Sequence, residues 1–227
     1  ACAPGTGGAR DRAAAATHYA SAHDRFAFLQ DEDANPPALL LEQIRAAARA
    51  GLAQVFDDVA LAGAQAGERL AAIEALPEAL VRSAQSQARF RRDQSILVLV
   101  HAIGTVREDQ DAALRRLETI APLLANAPKD AERDWIELIT IMSQVTLARL
   151  RLDDERALAP HLASIEAALD RLSPGEPPHG LPPFPDLAHT LTRVLDGVDA
   201  LALALPLASA ERLDRATAKV RRRLAGE

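Results

Sequence analysis

Cysteine occurs once in the 227 residues, as Cys2, which excludes an internal disulfide and any metal site built from several cysteines. Aromatic residues are scarce, with one Trp, one Tyr and five Phe. Lysine occurs only at Lys129 and Lys219, so arginine carries nearly all the positive charge. That charge is outweighed: the formal net charge is −6, and a broad electrostatic grip on nucleic acid, which needs clustered excess positive charge, is not expected. No apolar run reaches the roughly 18 to 20 residues that span a bilayer. The best candidate, residues 96–103, is too short and follows Arg89, Arg91 and Arg92 closely.

What is present is alanine and leucine in excess, within a chain that is 48% hydrophobic and 26% charged. Both residues head the helix propensity scale, and the apolar content is too high for a disordered chain. Apolar positions recur at helical spacing almost throughout, with no sustained strand-type alternation. A first helix is expected over 9–30, stopped by Pro36-Pro37. Leu41, Ile44, Ala48, Leu52, Val55 and Val59 mark one face of a helix over 37–62, after which Gly63 and Gly67 are expected to loosen the chain. A short segment with Leu70, Ile73 and Leu76 ends near Pro77. A single helix then runs from Glu78 through the arginine cluster and the apolar run 96–103, which is taken as a core-facing helix centre because a lone strand would have no partner.

An amphipathic segment at 109–124 follows. Residues 129–152 are apolar around most of the helix circumference, at Trp135, Ile136, Leu138, Ile139, Ile141, Met142, Val145, Leu147 and Leu150. A narrow polar stripe runs through Glu137, Thr140, Gln144 and Arg151, so this helix is expected to be central, with neighbours on three flanks. Two later segments keep seams spaced by three or four residues: Leu158, Leu162, Ile165, Leu169, Leu172, and Leu187, Leu191, Val194, Val198, Leu201, Leu205. A last helix covers about 209–224.

These patterns predict an all-α fold, a single antiparallel helical bundle of about seven to nine helices with a Pro-rich crossover before the last two. The parts are a tether at 1–8, a main bundle at 9–172, a connector at 173–185 and a C-terminal helix pair at 186–227 packed on the bundle. Helix pairs also raise the question of a solenoid. Tetratricopeptide signature residues are absent and the loop lengths irregular, which favours the bundle.

The start, Ala1-Cys2-Ala3-Pro4-Gly5-Thr6-Gly7-Gly8, resembles the end of a bacterial lipobox followed by a flexible stretch. The resemblance implies a lipid on Cys2 and a tether through Gly8. With Ala3 after the cysteine, it also implies sorting to the periplasmic face of the outer membrane. It departs from the family pattern in that Ala1 precedes the cysteine. The alternative is an arbitrary boundary with an incidental thiol in a cytoplasmic protein.

The other chemistry-bearing residues form few patterns. His18 and His23 lie about 140° apart around a helix at roughly 100° per residue, so they do not share a ligand face. Glu176 and His179 have ligand spacing but sit in the proline connector, and no HExxH, Gly-x-Ser-x-Gly or phosphate-cradling glycine loop occurs. Neither a metal nor a cofactor is expected. The carboxylate groups at Asp57-Asp58 and 153–155 fall where solvated faces or helix starts belong. His101, inside the most apolar stretch, is either a core histidine bonded to a backbone carbonyl or a neighbouring hydroxyl, or else a pocket ligand or a proton-responsive switch. Arg82, Arg89 and Arg92, at i, i+7 and i+10 on one helix, could hold an anion or an acidic partner, or form a locally paired outer face.

The function expected is non-enzymatic: binding of a protein partner, or complex assembly, in a bacterial envelope. The alternative is a small-molecule sensor or accessory domain of a transport system, with a pocket at His101, Trp135 and Met142 between core helices.

Overall fold

The computed structural model describes residues 14, 17, 18, 21, 36–76, 78–85, 88–125, 133–172 and 187–225. The tether with Cys2, most of the helix expected over 9–30 and the connector at 173–185 lie outside the described residues. The fold is all-α, a helical bundle with no strand among the described residues. Ten helical segments follow one another among them: α1 (Pro36–Gln54), α2 (Val59–Glu74), α3 (Glu78–Gln85), α4 (Ala88–Thr105), α5 (Gln110–Glu118), α6 (Ile120–Leu124), α7 (Arg133–Arg149), α8 (Glu155–Arg171), α9 (Leu187–Ala202) and α10 (Leu207–Ala225). Only Thr119 separates α5 from α6.

Aspartates decide where several of these helices begin. Asp58 accepts from the Leu61 amide, Asp109 from Ala112, and Asp154 from Arg156 and Ala157. Each capping carboxylate satisfies amides that the first helical turn leaves unpaired. The cap at Asp58 breaks the helix expected over 37–62 into α1 and α2, because a side chain that caps a new helix competes with continuation of the old one. Of the helix expected from Glu78 onward, the described residues form α3 and α4, and residues 86 and 87 between them lie outside the described residues.

Contacts divide the chain into two compact units, Ala1–Ala127 and Pro128–Glu227. The boundary lies upstream of the proline connector, so α7 and α8 belong with the C-terminal pair α9 and α10 rather than with the earlier helices.

In the first unit α4 is the hub, packing against α1, α2, α3, α5 and α6. The apolar run expected to be a helix centre is one: Ile96, Leu97, Leu99, Val100 and Ala102 are at most 1% exposed. Glycines let two of its neighbours come close. A Cβ placed on Gly63 of α2 would lie 2.6 Å from the Cα of Gly104 on α4, and one on Gly67 would lie 2.7 Å from Cε1 of His101. On α1, Gly51 faces Val100 in the same way. Gly63 and Gly67 therefore do not loosen the chain. They sit inside a helix, where the missing Cβ is space that a facing helix fills.

In the second unit the polar contacts give the helix directions. Glu137 with Arg171, and Gln144 with His161, set α7 and α8 antiparallel. Glu166 with Arg212, Asp170 with Lys219, and the Leu172 carbonyl with Arg223 advance together, so α8 and α10 run parallel. Arg221 reaches back to Asp196 and Asp199, making α9 and α10 antiparallel. With α7 also packed on α9, the unit is two helical hairpins, α7–α8 and α9–α10, stacked side by side. The two predicted seams supply its core. Leu158, Leu162, Ile165, Leu169 and Leu172 are buried, as are Leu191, Val194, Val198 and Leu201. Expected to touch three flanks, α7 packs mainly against α8 and α9, and the most widely packed helix is α4.

The glycine contact makes a signed prediction. Gly63→Ala and Gly104→Ala should each destabilise by about 1–3 kcal/mol through overpacking, despite roughly 1 kcal/mol of helix propensity gained. Gly197, whose Cβ would meet nothing within 4 Å, should gain up to about 1 kcal/mol from the same substitution. Urea denaturation followed by circular dichroism reads both signs; stabilisation at 63 or 104 would refute the close-approach account.

Candidate functional site

The residues singled out in the sequence divide between the two units. His101 donates its Nδ1–H to the Gly63 carbonyl at 3.0 Å, filling the space opposite Gly67. It is a histidine of the α2–α4 contact, bonded to a backbone carbonyl as the first of its two readings expects. Met142 is buried in α7, while Trp135 is half-buried near that helix's start. His101 belongs to the first unit and Trp135 and Met142 to the second.

Residues 86 and 87, between the first and second arginines of the arginine cluster, lie outside the described residues. Arg82 lies on α3, exposed and paired with Glu78, whereas Arg89 and Arg92 lie on α4. Arg92 is largely buried, its guanidinium held 2.6 Å from Asp93, itself 4% exposed. A buried aspartate draws its neighbouring arginine inward, which removes Arg92 from any exposed basic face. His18 is exposed; His23 and His179 lie outside the described residues, and no group of three His, Cys, Asp or Glu could hold a metal ion among the described residues.

Of the polar stripe expected on α7, Glu137 is buried, Thr140 and Gln144 are half-buried, and Arg151 lies in the turn after the helix. Glu137 is 7% exposed and takes a bidentate pair from Arg171, with Nε at 2.6 Å from Oε1 and Nη2 at 2.8 Å from Oε2. Two turns further along α7, Gln144 meets His161 at 2.8 Å. Glu137 and Gln144 thus both meet partners on α8. Hydrogen bonding to Glu137 raises the already high pKa of Arg171, against a smaller opposing effect of burial.

A different feature stands open to solvent, at the turn joining α9 to α10. The turn is closed by backbone bonds, Ala204 N to Leu201 O at 2.9 Å and Ala210 N to Pro206 O at 3.0 Å. Its side chains are Leu203, 91% exposed, and Leu207, 75% exposed. Beside them lies an open groove of about 420 Å³ lined by Asp196, Asp199, Ala200, Ala202, Leu203, Ala210 and Asp214. Helical spacing builds it: Asp196, Asp199, Ala200 and Leu203 fall at i, i+3, i+4 and i+7 from α9 into the turn, and Ala210 and Asp214 at i and i+4 on α10, with Leu207 one turn ahead of them. Alanines make the floor because their side chains stop short. Arg221 braces one wall, 2.9 Å from Asp196 and 2.7 Å from Asp199. These bonds hold the arginine's pKa above its ordinary value, the Asp196 bond contributing most. Seam spacing alone ends at Leu201 and Leu205 and passes over Leu203 and Leu207. The signal that marks them is the turn itself, where leucines stand in place of the usual polar residues.

Comparison with protein-family models, with curated proteins and with solved structures finds no match to this chain.

The Glu137–Arg171 pair predicts an asymmetry. Arg171→Ala, which strands a buried carboxylate, should cost about 1–3 kcal/mol. Replacing both partners, Glu137→Leu with Arg171→Met, should cost less than Arg171→Ala alone, since a shape-matched apolar pair leaves no unpaired charge. A double variant less stable than the single one in urea titrations would refute this.

Proposed function

We propose that this chain is a non-enzymatic helical protein of a bacterial envelope that binds a protein partner through the end of its second unit carrying the α9–α10 turn. The observation that carries the reading is the exposure of Leu203 and Leu207 beside the groove. Burying a leucine side chain is worth about 1.5–3 kcal/mol, so two left in water at one turn are a cost that an occupied interface recovers. Leu152, in the α7–α8 turn, is 36% exposed; because α7 and α9 run parallel, it lies at the same end of the unit. Stacked helical hairpins suit such a role, since their turns project from a rigid stack.

The envelope part of the proposal rests on the lipobox-like Ala1-Cys2, with a lipid on Cys2 holding the protein at the periplasmic face of the outer membrane. No helix among the described residues is long and apolar enough to cross a membrane. Mass spectrometry of the N-terminal peptide from native cells should show a diacylglyceryl group on Cys2; an unmodified thiol there removes this part.

For the interaction itself, a photo-reactive amino acid at position 203 or 207 should give a discrete cross-linked protein in the native cell. The same residue at Ala163, exposed on α8, should not. Equal labelling from the two places, or none from either, would defeat the reading.

A further inference from the structure

We infer that the segment occupying the groove between α9 and α10 is a basic amphipathic helix, with an apolar side chain on the alanine floor and lysine or arginine over the aspartates. The inference rests on the proposed interaction and names the chemistry of its partner. Three carboxylates line the groove, at Asp196, Asp199 and Asp214, and no cation is among its lining residues; beside it, Arg149 of α7 is bonded to the Gly197 carbonyl. Arg221 is already shared between Asp196 and Asp199. Among the described residues the exposed Asp214 carboxylate has no hydrogen-bond or ion-pair partner, and Glu211, one turn earlier on α10, is exposed as well. Of the nearby cations on α10, Arg212 is engaged by Glu166 on α8, and Arg215 projects about 100° around the helix from Asp214. The groove thus keeps an excess of negative charge around an apolar floor.

That combination selects among occupants. An anionic membrane surface would be repelled by the aspartates. A second copy meeting this one symmetrically at the same turn would set the same carboxylates against each other, in a chain whose net charge is already −6. A basic amphipathic helix meets both features: its apolar side chain covers Leu203 and the alanines, while its cations lie along the rim, a helix-in-groove arrangement between two antiparallel helices. Complementary charge of this kind acts mainly on choice of partner and on encounter rate.

The test uses two fluorescein-labelled 14-residue helical peptides with one leucine pattern, their polar positions all lysine in one and all glutamate in the other. The full chain should bind the lysine peptide at least ten-fold more tightly, with affinity falling as salt rises. Asp214→Lys and Leu203→Ser, both at exposed positions, should each weaken binding at least ten-fold. Glu118→Lys, which changes the net charge equally on α5, should weaken it less than two-fold. Equal affinity for the two peptides, equal loss from Glu118→Lys, binding to phosphatidylglycerol vesicles that Leu203→Ser abolishes, or concentration-dependent dimerisation abolished by Leu203→Ser would each overturn the inference. A cross-linked partner found at position 203 whose contacting segment is acidic or uncharged overturns it too, while leaving the interaction reading standing. Absence of any cross-linked partner instead removes the reading beneath it.

Discussion

Where Gly63 meets Gly104, two helix backbones touch with no side chain between them, and the arrangement of the first unit follows from that contact. A chain this poor in aromatics cannot fill wide spaces between helices with large rings, so it closes them by bringing helices together. Alanine serves the same end on α1, where Ala46, Ala47, Ala48, Ala50 and Ala53 are all buried. With Gly63 fixed against Gly104, Gly67 lies one turn away along α2 and His101 nearly one turn back along α4. The imidazole fills the space left there and bonds the Gly63 carbonyl. His101 is thus a consequence of close packing: it satisfies its Nδ1–H inside a contact that would otherwise leave a void.

The second unit solves the same problem with polar groups. Along the α7–α8 contact, Glu137, Gln144, His161 and Arg171 replace what would be further leucines. The Glu137–Arg171 pair joins a buried carboxylate to an arginine that stays partly in water, and a shifted register would strand the carboxylate, so the pair favours one alignment of the two helices. The leucine seams alone would tolerate a slip by one heptad, as evenly spaced seams do. Polar pairs at both 137 and 144 remove that freedom.

Much of this architecture is legible in the sequence because helical periodicity is a local property. The burial of residues 96–100 and Ala102 follows from composition and neighbours, and the buried seam through Leu162, Ile165 and Leu169 follows from its spacing. The helix breaks are harder, because Asp58 reads equally well as a solvated residue on a continuing helix and as the cap of a new one. Which of the two it is depends on whether α2 gains more by folding back onto α1 and α4 than by extending α1, and that is a tertiary quantity. Glu137 escapes a local reading for a related reason. Helical spacing tells which residues share a face, but not whether the face meets water or a partner that carries a matching arginine 34 residues away.

The candidate site is the least legible part, and comparison of the turns shows why. Three hairpin turns end on an aspartate that caps the next helix: Phe56-Asp57-Asp58, Arg107-Glu108-Asp109 and Leu152-Asp153-Asp154. At the fourth, the corresponding stretch is Leu203-Ala204-Leu205-Pro206, with Leu207 opening α10. Pro206 brings no side-chain acceptor, yet its carbonyl still receives the Ala210 amide, so the turn closes without a charged residue. Folding alone therefore does not call for leucines here; the other three turns show that polar residues close the same kind of corner. Two leucines held in water at that corner, next to an acid-rimmed floor of alanines, depart from the aspartate closure of those three turns, and such departures concentrate where a surface is shaped for something other than its own stability.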